Sequence, residues 1–104
     1  MGNLDMLPGN AVPAELRRSL EALLRQRLEA AGACDVAIYP DVDEYGDPFI
    51  HVDVTHRLVE RPIQFPQVFA AERAARDLAW ENGERRFVYV RHIYDEKQKF
   101  ADER

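Results

Sequence analysis

The chain has 104 residues, a formal net charge of −5, and 46% hydrophobic and 32% charged residues, the size and balance of one globular domain able to bury its own core. A net acidic chain has no overall attraction for phosphate backbones or anionic lipids, so nucleic acid is disfavoured as a partner and no membrane surface is expected. Cys34 is the single cysteine; it excludes an intrachain disulfide and suits a reducing, cytoplasmic setting.

Residues 1–12 contain Gly2, Pro8, Gly9 and Asn10 without a sustained period and read as a flexible leader. There is no basic, apolar signal-like start and no apolar run long enough for a membrane span. Order is expected to begin at Pro13, whose missing amide costs nothing in a first helical turn, with Glu15 complementing the positive end of the helix dipole. Leu16, Leu20, Leu23, Leu24, Leu28 and Ala31 recur at helical spacing and predict one buried stripe, stopped at Gly32. Arg17, Arg18, Arg25 and Arg27 cluster on the same segment, but Glu15, Glu21 and Glu29 interleave with them, which predicts a solvated, ion-paired face.

Residues 34–42 and 48–57 alternate with period two and are rich in Val, Ile, Tyr, Phe and Thr, the pattern of two half-buried strands. Asp43 to Asp47 supplies the reversal between them. Residues Asp41, Asp43 and Gly46 also imitate the start of a calcium loop, but Tyr45 and Val52 stand where that loop needs oxygen ligands. A turn at 43–47 sets Val42 against Pro48, Pro40 against Ile50, Ile38 against Val52 and Val36 against Val54 on an apolar face. The other face then pairs Tyr39 with His51, Asp41 with Phe49, Ala37 with Asp53 and Asp35 with Thr55. The same register puts Cys34 opposite His56, a thiol and an imidazole without an orienting third group.

Beyond a connector with Pro62, a second helix is expected from Pro66 to Asn82, stopped by Gly83, with Val68, Ala71, Ala75 and Leu78 buried and Phe69 and Trp80 flanking. Residues 87–94 form a third strand; turning Val88, Val90 and His92 inward avoids burying Arg91. Residues 95–104 read as a charged, solvated tail, leaving 13–94 as a single domain. The order α-β-β-α-β predicts an α+β two-layer sandwich, with a three-stranded, mainly antiparallel sheet and two helices on one face. The expected spatial order is second, first, third strand, with the third antiparallel beside the first.

Phosphate-binding glycine loops, zinc-protease helices, nucleophile elbows and paired-cysteine motifs do not occur in the sequence. No catalytic residue, metal ligand or cofactor is assigned, and a non-enzymatic role is expected. A sheet covered on one side leaves the other open, and here that side carries Tyr39, Phe49, His51, Asp53, Phe87, Tyr89 and Arg91. This mixture is richer in aromatics and arginine than a merely wetted sheet, and those residue types dominate interface centres. It predicts a small interaction or regulatory module that forms a homodimer or binds a protein partner there. Two alternatives use the same surface: a metal-binding or hydrolase-like site at His51, Asp53 and Asp41, and weak single-stranded RNA binding by base stacking.

Overall fold

The computed structural model describes residues 11–101. Most of the expected leader (1–10) and the end of the tail (102–104) lie outside the described residues. The elements run α1 (Ala14–Arg27), a 3-10 turn (Glu29–Ala31), β1 (Ala33–Val42), β2 (Pro48–His56), α2 (Phe65–Glu81) and β3 (Phe87–Ile93). This is the expected α+β sandwich in the expected order.

Helix α1 buries Leu16, Leu20 and Leu24, and Leu28 at its C-terminal cap is buried too, with Leu23 packed at the edge of the core. Helix α2 buries Val68, Ala71, Ala75 and Ala79, and its alanines let its backbone lie close to its neighbours; Phe69 and Trp80 stay exposed. Ile50, Val52, Val54, Val88 and Val90 project from the sheet into the same core. No helix of the described residues is long and apolar enough to cross a membrane.

The hairpin has the register read from its turn, from Val42 opposite Pro48 to Asp35 opposite Thr55. Asp43 makes the reversal: its Oδ1 accepts from the amides of Tyr45 and Asp47, both at 2.9 Å, and Gly46 takes the left-handed φ of 85°. At the far end the register shifts between Ala33 and Asp35, so Ala33 and not Cys34 faces His56. The expected Cys34–His56 pair therefore does not form. Cys34 is exposed, with its Sγ 3.4 Å from the Thr55 carbonyl.

The strand order is β1-β2-β3, with β3 parallel beside β2, which corrects the expected position of the third strand beside the first. The sheet is mixed, and the antiparallel hairpin ladder is its longer part. Proline explains the outcome. Asp43 and Asp47 bond across the turn, so alternation turns the odd-numbered amides of β1 towards β2 and Pro40 towards the other side. A strand placed there would meet a missing donor, and proline is confined to such edges. Pro48 opens β2 just before its pairing with β3 begins at Phe49.

Residues 95–101, within the stretch expected to be a solvated tail, run back along the 59–63 connector. Gln98 is buried and exchanges hydrogen bonds with both the amide and the carbonyl of Val59, while Ile63 and Phe100 form an isolated parallel bridge.

Candidate functional site

The two ladders align three rows on the open side of the sheet. Asp41, Phe49 and Phe87 form one, Tyr39, His51 and Tyr89 the next, and Ala37, Asp53 and Arg91 the third. All seven residues expected at the surface are thus brought together. Because β2 is central, its Phe49, His51 and Asp53 are half-covered by neighbours, whereas Tyr39, Phe87, Tyr89 and Arg91 on the flanking strands are exposed.

The rings form one connected group. Tyr39 stacks on His51 with centroids 4.8 Å apart and planes 13° apart, and the edge of Tyr89 meets His51 at 5.4 Å and Phe49 at 6.3 Å. Such offset and edge contacts hold rings in fixed orientations. A concavity of about 520 Å³ opens at the hairpin end, lined by Phe49, Phe87, Tyr89, Pro48, Asp43 and Asp47.

Asp53 is the polar centre. Its Oδ1 accepts from Arg91 Nε at 3.0 Å and lies 2.9 Å from His51 Nε2; its Oδ2 accepts from Tyr39 Oη at 3.1 Å and from Arg91 Nη2 at 3.3 Å. Burial raises the Asp53 carboxyl, but the hydrogen bonds from Arg91, Tyr39 and His51 outweigh it and hold the group below the ordinary carboxylate range. Partial desolvation, with the bond to Asp53, pushes the Tyr39 phenol up. His51 Nδ1 lies 3.3 Å from Asp41 Oδ2. Each carboxylate accepts only, so a ring protonated on both nitrogens donates to both. These bonds fix the residues named for a hydrolytic or metal-binding reading into contacts with one another. Among the described residues no group of three His, Cys, Asp or Glu side chains is arranged to hold a metal ion.

A second polar cluster lies on the helix side of the sheet. His56 Nδ1 donates to the Ala31 carbonyl at 2.9 Å, His56 Nε2 meets His92 Nδ1 at 2.9 Å, and His92 Nε2 meets Glu72 Oε2 at 2.8 Å. Tyr94 stacks on His56 at 4.3 Å. The bond to Ala31 assigns the Nδ1–H form to His56, whose Nε2 then accepts from His92. The contact with Glu72 requires one further proton, shared between His92 Nε2 and the carboxylate. Burial pushes the His56 ring below the ordinary histidine range; the Ala31 carbonyl opposes this and charge on His92 adds to it. The inward turn of His92 was legible from alternation, but its partners were not: His56 and Glu72 come from two other elements, and the bulge at Cys34 redirects the end of β1.

The clusters differ in access. The first has Tyr39, Tyr89 and Arg91 exposed; the second lies between α2 and the sheet, with His56 buried and Glu72 joining it from α2. No family model matches this chain, and no curated protein or solved structure is significantly similar to it.

Proposed function

We propose that this chain is a small, non-enzymatic protein-interaction module of the cytoplasm that docks a protein partner on the open face of its sheet. The observation that supports this reading is the ring group of Tyr39, Phe49, His51 and Tyr89, in which Tyr39 and Tyr89 are exposed and Tyr39 and His51 are held in orientation by Asp53. Rigid aromatic surface contributes contact area at small cost in side-chain entropy, which is why tyrosine and arginine concentrate at interface centres. The face is bounded by Asp41, Asp43, Glu44 and Asp47, carboxylates that repel phosphates but accept a basic residue of a protein. The lone Cys34 thiol favours a reducing compartment.

The test is affinity capture from the native cell with wild-type protein, Tyr89→Glu, and Phe69→Lys on the outer side of α2, followed by calorimetry with the purified partner. Binding should be lost with Tyr89→Glu and kept with Phe69→Lys. Equal binding by all three, or recovery of nuclease-sensitive RNA in place of protein, would overturn the reading.

A further inference from the structure

The two edges of the sheet are not equivalent. Along the outer edge of β1, the Cys34 carbonyl accepts from Arg25 Nη1 at 3.1 Å, the Val42 amide donates to its neighbour's Asp41 Oδ1 at 2.8 Å, and Pro40 has no amide. With the irregularity at Ala33/Asp35, this edge is interrupted at both ends and at Pro40, as natural edges are when a second strand must be kept away. The edge of β3 lacks these devices. Phe87–Ile93 contains no proline and no lysine, and its seven residues pair with β2 without a shift. Alternation sends the amides and carbonyls of Val88, Val90 and His92 outward. The Val88 carbonyl confirms that direction by accepting from Arg76 Nε at 3.0 Å. Among the described residues Arg76 guards this edge, reaching from α2 around the start of the strand to lie 4.8 Å over the Phe87 ring. Among the described residues no strand pairs with this edge.

We infer that a second copy of this chain pairs there, β3 against β3 in antiparallel fashion, about a two-fold axis at Val90. The residues around that axis are self-complementary. Val90 bonds reciprocally to Val90 of the second copy, Tyr89 lies opposite its Arg91, and Phe87 lies opposite its Ile93, with the same pairs repeated on the other side of the axis. Phe87, Tyr89 and Ile93 are 58%, 43% and 41% exposed in the single chain. Pairing covers an aromatic and an aliphatic side chain against each other and lays a guanidinium against a tyrosine ring. The axis stands normal to the sheet, so the product is one six-stranded sheet with all four helices on one side and a doubled aromatic face on the other. Arg76 yields the Val88 carbonyl to the amide of the second copy's His92. This association uses an edge and does not depend on what docks on the face.

Light scattering should give twice the 12.0 kDa of one chain, unchanged by Ala37→Lys, which adds a charge to the face in β1, the strand farthest from the β3 edge. The register is read by disulfide trapping in a Cys34→Ser background. A mixture of Tyr89→Cys and Arg91→Cys proteins should cross-link under mild oxidation, while either variant alone should not, because each residue faces the other type across the axis. A monomer at 100-fold the concentration used for trapping, a dimer abolished by Ala37→Lys, or equal cross-linking in the separate and mixed samples would each overturn the inference.

Discussion

Replacing His92 with phenylalanine isolates the buried chain of hydrogen bonds from the packing around it. The substituted ring keeps the approximate volume and the stack on Tyr94, seen at 5.7 Å and 14° in the native chain. It removes both ring nitrogens. His56 lies on a residue only 4% exposed, so its Nε2 has no access to water once His92 is gone, and an unsatisfied buried group of this kind costs about 1–3 kcal/mol. The Glu72 side chain is 17% exposed and regains part of its solvation, adding roughly 1 kcal/mol or less. The expected loss is about 2–3 kcal/mol at pH 7, or roughly 10–20 °C in melting temperature for a domain of this size. Urea and thermal unfolding followed by circular dichroism measure it directly. A loss below about 0.5 kcal/mol would refute the assignment of the cluster as a satisfied, enclosed network.

Acidification probes the same cluster. His56 is held below its unfolded value of 6.5, so the unfolded chain takes up that proton first. The contribution is complete above about pH 7 and declines as the pH falls below the unfolded value, by at most about 2 kcal/mol between pH 7 and 5. Imidazole nitrogen spectra should show His56 in the Nδ1–H form and more than half uncharged at pH 6.5; half-protonation or more there would contradict it. At lower pH, Asp53 and Glu84 are both depressed, Asp53 by hydrogen bonds that outweigh its burial and Glu84 chiefly by hydrogen bonding from Arg86. Stability present above their ordinary values of 3.8 and 4.5 should therefore be lost as the pH falls through their folded values, giving an acid limb that is shallower in Asp53→Asn. In a double-mutant cycle, Asp53→Ala and Arg91→Ala should couple by only about 0.5–1 kcal/mol, since the Arg91 side chain is 53% exposed; a coupling above about 3 kcal/mol would mean the pair is far better enclosed than its exposure implies. Gly32→Ala should destabilise by at least about 2 kcal/mol, because φ is +87° and the added carbon would meet the Arg57 carbonyl. A neutral effect in denaturant titration would show that the backbone there relaxes freely.

Periodicity and turn chemistry determined the elements, the hairpin register and which side of each strand is buried. These depend on neighbours in sequence: Asp43 and Gly46 set the turn, and the turn sets every pair as far as Asp35 and Thr55. The seven surface residues were legible for that reason, since alternation assigns a face before any tertiary contact exists. The strand order was misread: the missing amide of Pro40 argues against a central β1, yet β3 was expected beside β1, and the structure sets it beside β2. What only the tertiary structure decided was the joining of distant groups. Asp53 could be placed on a face, but not foreseen as the acceptor for Arg91, His51 and Tyr39 together, because that required β3 to lie beside β2. Likewise, no local pattern connects Ala31, His56, His92 and Glu72. They meet because α2 crosses the sheet over the ends of two parallel strands, and buried polar groups there had to find one another once water was excluded.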